Sequence, residues 1–246
     1  MIGVSNMKKF ISIVLVMVFC VLLTSCQKVY SQIDDYHMIY DNVHEANKTF
    51  TNDRETLLNF DEYSYCSYML LFPREQPYEL KEFYYDWVQG MDYDDYSVYF
   101  SYKLNDADYQ DFKKGLSGFS ISYGDQVNKP VYTENLFKYP TYIMTWTDEV
   151  ENGGVCEYVM LDDDNCTVIN VYKMFFSLDR VQKNADYDIL PRGNQYERVD
   201  MLFQEYDYYM AKHNGYTVYA FTKPDGEMFV PELEELTFDR SFVENN

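Results

Sequence analysis

The order of apolar and polar residues predicts most of the elements. Residues 10–23 are apolar apart from Ser12. Between 33 and 50, Ile33, Tyr36, Tyr40, Val43 and Phe50 recur at heptad-like spacing, which predicts a helix. Residues 63–72 are aromatic and apolar and stop at Pro73, the pattern of a strand. In 81–88, Leu80, Phe83, Tyr84 and Trp87 would form one helical face, but the aromatics favour a strand. That strand would pair with 96–104 through a turn at 90–95. Asn105 then reads as an N-cap with Asp108 at N3, and Tyr109, Phe112 and Leu116 form a helical stripe that ends near Gly118. Segments 142–147, 155–161 and 166–176 predict three strands, separated by polar turns at 148–154 and 162–165. Turns this short imply an antiparallel meander. A last helix is expected over 195–212, capped by Asn194 with Glu197 and ended by Asn214-Gly215. Its apolar face is Val199, Leu202, Phe203, Tyr206 and Met210, and Lys212 and His213 sit at the negative end of its dipole. A hairpin closes the chain: 216–221, a Lys223-Pro224-Asp225-Gly226 turn, then 227–230. Strands grouped around two or three helices point to an α+β fold, mainly antiparallel sheet with the meander at about 141–176.

The apolar run at 10–23 gives the protein an address. Lys8 and Lys9 are the only charges in the first 25 residues, and 14 residues suit the h-region of a secretory signal better than a membrane span. The positive residues stay on the cytoplasmic side. Met7 is the expected start, since MKKF opens a signal more naturally than MIGVSN. An ordinary cut ahead of Gln27 would place Thr24 and Cys26 at the small-residue positions, a poor fit. The tetrad Leu23-Thr24-Ser25-Cys26 instead resembles the lipobox of bacterial lipoproteins. That resemblance covers the first 26 residues. It implies that residues 1–25 are a signal peptide, that Cys26 becomes the acylated first residue of the mature chain, and that the protein is lipid-anchored outside the cytoplasm. One acyl chain holds a bilayer only marginally, whereas two or more make a stable anchor. Gln27 is not the aspartate that marks inner-membrane retention in Gram-negative cells, so a Gram-positive plasma membrane and an outer membrane are both open. An uncleaved signal anchor and a soluble secreted product are the alternatives. A short tether is expected at 26–32, followed by one domain from 33 to 246.

Composition narrows the partners. The chain carries 41 acidic against 20 basic side chains, a formal charge of −21. Loss of residues 1–25 removes two lysines and no acid, so −21 becomes −23 over the remaining 221 residues. Such a surface repels nucleic acid and anionic headgroups and suits a cationic partner. An acid excess also serves simply to keep a domain soluble. The 27 Tyr, 17 Phe and 2 Trp are too much apolar material for a disordered chain. Cys20 leaves with the signal and Cys26 is acylated, so Cys66, Cys156 and Cys166 remain. A four-residue turn at 162–165 would set Leu161 opposite Cys166 and Cys156 opposite Val171, so these two cysteines are not partners. Small core residues is the expected state of the thiols. The block holding Tyr139-Pro140, Glu157-Tyr158, the acidic turn and Val171-Tyr172 is similar to segments of uncharacterised lipoproteins of Gram-positive anaerobes. The similarity covers about 40 residues and brings no activity with it.

Candidate chemistry is sparse. His37, Asp41 and His44 share a helical face at i, i+4, i+7 and form a candidate metal site, although no fourth ligand is visible and the wet boundary of a packed helix is the ordinary explanation. H-E-x-x-H is absent. Gly115-Leu116-Ser117-Gly118-Phe119 has Phe where a nucleophile elbow needs its second glycine, and it ends a helix. The S-x-x-K at Ser5–Lys8 lies in the signal. No phosphate-cradling glycine motif occurs. Asp162, Asp164 and Cys166 start a calcium-loop frame that fails at Lys173. The densest acid–aromatic cluster, Asp92, Tyr93, Asp94, Asp95 and Tyr96, is the candidate ligand-binding surface: Tyr faces beside carboxylates stack sugars or hold ammonium and guanidinium groups. A solvated loop is the simpler account of the same residues. No catalytic residue and no cofactor is expected.

Three roles follow, in order. The first is a non-catalytic, membrane-anchored lipoprotein that binds a protein, glycan or cationic ligand through an acidic, Tyr-rich surface. The second is an anchored glycan hydrolase with a carboxylate pair. The third, a transporter's solute-binding lipoprotein, requires two α/β lobes, and the strand–helix alternation for these is missing.

Overall fold

The computed structural model describes residues 28–30, 68–73, 80–89, 94–147, 154–175, 191, 215–226 and 228–244. Eight strands build the main sheet. They are β1 (Lys28–Tyr30), β2 (Leu80–Gln89), β3 (Asp94–Lys103), β6 (Val131–Thr133), β7 (Thr141–Thr147), β8 (Gly154–Asp162), β9 (Thr167–Phe175) and β10 (Gly215–Thr217). The order is β1-β2-β3-β9-β8-β7-β10, with β6 also on β7, and every pairing is antiparallel. Two small hairpins accompany it: β4 (Ile121–Tyr123) with β5 (Gln126–Asn128), and β11 (Phe221–Thr222) with β12 (Met228–Phe229). Helices α1 (Asp106–Gly118) and α2 (Ser241–Glu244) complete the described part, a sheet-dominated α+β fold. Among the described residues no helix is long and apolar enough to cross a membrane.

The central strands are buried on both faces, which explains their near-continuous apolar runs. One face carries Val98, Phe100 and Tyr102 of β3, Val168 and Tyr172 of β9, and Val155, Val159 and Leu161 of β8. The other carries Tyr99, Ile169, Val171, Cys156, Tyr158 and Met160. Phe137, Trp146 and Tyr158 interlock on this second face, with ring centroids 4.9–6.0 Å apart.

Helix α1 lies on the first face. Asn105 caps it by accepting from the Asp108 N–H at 3.0 Å, and Tyr109, Phe112 and Leu116 are its buried stripe. The cap and the stripe are those the spacing predicts. Phe112 meets Tyr102 edge-on at 6.4 Å, and Phe242 of α2 packs on Phe112 and Phe119 at 5.4 and 6.0 Å. Gly115 permits this approach, since a Cβ there would stand 2.3 Å from Phe242 Cγ. The Ser117 hydroxyl donates to the Lys114 carbonyl at the end of the helix, a helix stop and no nucleophile elbow.

Several expectations change. Residues 68–73 are a buried turn, with the Phe72 N–H donating to the Met69 carbonyl and Met69 at φ 50°, although the apolar pattern of 63–72 predicts a strand. An apolar run reports burial, and a buried turn satisfies it as well as a strand does. Lys28–Tyr30, expected within the tether, is paired to Trp87, Asp86 and Tyr85. The β8–β9 register pairs Asp162 with Thr167 and Cys156 with Lys173, two residues from the expected match. The Asp162 carboxylate accepts from Asn165, so Asp162 ends the strand and Cys166, at φ 52°, falls into the turn. Neither Cys156, which is buried, nor Cys166, which is partly exposed, forms a disulfide. The closing segment is split: Gly215–Thr217 joins β7 in the main sheet, and only Phe221–Thr222 pairs with Met228–Phe229. The helices expected at 33–50 and 195–212 lie outside the described residues.

Replacing Gly115 by Ala is expected to cost about 1–3 kcal/mol through overpacking against Phe242. Gly118→Ala, with open space around the added methyl, is expected to be near neutral. Urea denaturation of both variants checks the contrast.

Candidate functional site

Two polar constellations stand out, one inside the core and one at the surface. Glu157 belongs to the same face of β8 as Val155, Val159 and Leu161, and it is fully buried. Its Oε2 accepts from the Tyr219 hydroxyl at 2.8 Å and its Oε1 from the Leu71 N–H at 3.4 Å. On β9, Asn170 donates to the Leu71 carbonyl at 2.5 Å. The Arg240 guanidinium donates to the Phe72 carbonyl at 3.0 Å. Tyr68 donates to the Pro231 carbonyl at 2.8 Å and meets Tyr219 edge-on at 5.0 Å. The turn at 68–73 is therefore held to the sheet through its backbone polar groups. The buried Glu157 carboxyl thus ties the 68–73 turn and Tyr219 to β8.

The surface constellation sits where the β8–β9 turn meets α1. Asp163 accepts from the Tyr109 hydroxyl at 2.9 Å and from Lys113 Nζ at 2.6 Å. Burial alone would push the Asp163 carboxyl up, but the hydrogen bonds from Lys113 and Tyr109 and the lysine charge outweigh it and leave it below its ordinary value. Burial and the Asp163 carboxylate together raise the Tyr109 phenol. The Cys166 thiol donates to Asp106 at 3.2 Å, and that bond pushes the thiol up, away from the thiolate that nucleophilic chemistry needs.

Beside this turn runs the β6–β7 edge. Tyr132 is 40% exposed, lies 4.8 Å from the Tyr142 ring and donates to Glu134. Burial, then Glu134, then Tyr142 and Asp163 raise its phenol, so the acidic turn and the tyrosine edge share one electrostatic neighbourhood. Acid and aromatic groups of this kind can hold a sugar face or a cationic group.

Of the residues singled out in the sequence, Asp94, Asp95 and Tyr96 open β3, opposite Gln89, Val88 and Trp87. Asp92 and Tyr93 lie outside the described residues, as do Cys26 and the metal candidates His37, Asp41 and His44. Among the described residues, no group of three or more His, Cys, Asp or Glu side chains is arranged to hold a metal ion. Sequence reasoning missed Glu157, Asn170 and Tyr219. An acid in the run VCEYVML was the available signal, because an ionisable residue on an otherwise buried strand face demands partners.

Tyr219→Phe removes a donor from a buried carboxylate and is expected to destabilise the fold by about 1–3 kcal/mol, read by chemical denaturation. The Asp163 clamp should add stability at pH values above the carboxyl's ordinary value of 3.8, and that stability should be lost as pH falls through its lower folded value. Asp163 is half exposed, so the effect is small. Lys113→Ala should flatten the acid limb of a stability-against-pH curve.

No protein-family model, curated protein or solved structure matches this chain.

Proposed function

We propose that the chain is a lipid-anchored extracytoplasmic lipoprotein, acylated on Cys26, that binds a protein, glycan or cationic ligand through an acidic, tyrosine-rich surface and catalyses no reaction. The observation that carries this reading is the tetrad Leu23-Thr24-Ser25-Cys26 directly after Lys8-Lys9 and the apolar run 10–23. The formal charge of −21 over the whole chain supports a cationic or neutral ligand over nucleic acid. The engagement of Glu157 and Asp163 by structural donors supports binding over acid–base chemistry, since each carboxylate is already committed to holding the fold. In the full domain we take the antiparallel meander at about 141–176 to be packed with two or three helices.

The native protein is expected to partition into detergent and to yield an amino-terminal peptide that begins at an acylated Cys26. Cys26→Ser should move it to the aqueous phase. An unmodified thiol at position 26, or a retained leader, in the mass spectrum of the native protein would sink the reading.

A further inference from the structure

The register of β1 ties the anchor to one corner of the sheet. Lys28 pairs with Trp87, and β1 runs antiparallel to β2, so the chain enters β1 from the side of Val88 and Gln89. Two peptide steps separate Cys26 from Lys28 and span at most about 7 Å. Gln89 in turn pairs with Asp94 at the start of β3. From there the strand ends can be followed across the sheet. Tyr96 lies opposite Met174, Phe175 opposite Gly154, Cys156 opposite Trp146, and Thr147 opposite Gly215. These residues mark one end of the sheet.

The other end holds Lys103, the β8–β9 turn at 163–166, the start of β7 and all of β6. The ten residues of β3 put the two ends about 30 Å apart. Asp163, Tyr109, Tyr132, Glu134 and Tyr142 are all at this second end. Acids occur at both ends: Asp94 and Asp95 open β3 at the first, and Asp163 lies at the second. Charge therefore does not select an orientation, and the covalent connection does.

We infer that the domain is held directly on the bilayer, with the corner where β1 meets the Gln89–Asp94 end of the sheet against the lipid headgroups and the Asp163–Tyr132 end turned outward. This rests on acylation of Cys26. It deepens that reading by deciding which acidic, tyrosine-bearing surface can meet a large partner. The surface at the β8–β9 turn and the β6–β7 edge faces the medium. The Asp94–Tyr96 start of β3 lies beside the lipid, where a bulky glycan or protein has little access.

The test uses acylated protein that begins at Cys26, in phosphatidylcholine vesicles that contain a nitroxide-headgroup lipid. A fluorescent unnatural amino acid is placed at position 89 in one sample and at position 164 in another. Quenching should be several-fold stronger at 89 than at 164. A flexible Gly-Ser spacer inserted between Gln27 and Lys28 should shrink the difference. Equal quenching, or stronger quenching at 164, in protein that carries the acyl mass and floats with the vesicles overturns the orientation and leaves the anchor standing. Protein that lacks the acyl mass and fails to float overturns the anchor, and the orientation with it.

Discussion

Taking a polar carboxyl group out of water costs free energy unless hydrogen bonds replace those to the solvent, and Glu157 is fully buried. Two hydrogen bonds reach it from remote parts of the chain, the turn at 68–73 and the bend that follows β10. Neither could drift away without leaving a buried polar atom with a hydrogen bond fewer. Asn170 and Arg240 take up carbonyls of the same turn, so its backbone is held from the sheet and from the chain's last described segment. Apolar contacts alone would accept several placements of the sequence YMLLFP. The hydrogen bonds to Glu157 and Asn170 accept one. This polar cluster gives direction to a core whose stability comes mainly from aromatic burial.

A second polar contact works at the end of the sheet where β8 turns into β9. The β8–β9 turn is acidic, and acids crowded in a turn repel one another. Asn165 quiets Asp162, while Tyr109 and Lys113 quiet Asp163. The helix that the apolar stripe lays on the sheet also brings these donors to the turn. Packing and charge compensation therefore agree on the same position for α1, as a funnelled landscape requires. Tyr132 and Tyr142 lie within the electrostatic reach of this turn.

Much of the local structure was legible. The Asn105 cap and the Tyr109, Phe112, Leu116 stripe read directly as a helix, because both signals depend on residues within a few positions of each other. The aromatic runs at 81–88 and 96–104 read as paired strands for the same reason. The turn at 68–73 was not legible, because a strand and a buried turn make the same demand for apolar side chains. Nor was the β8–β9 register, since the hydrogen bonds that Asn165 donates to the Asp162 carboxylate move the strand end by one residue on each side. The role of Glu157 was half legible. Its place on a buried face follows from alternation, but Tyr219 and Leu71 stand 62 and 86 residues away.

The sequence by itself determined the expected address, the charge, and the elements whose signals are local: periodicity, caps and turn residues act over one or two turns of chain. Tertiary structure alone decided that β3 lies beside β9 and β10 beside β7, which donors reach Glu157, and that Lys28 is paired to the sheet edge two residues after Cys26. Those are contacts between distant segments. Their energy depends on a geometry that exists only after the chain has closed on itself, so no short window of residues contains it.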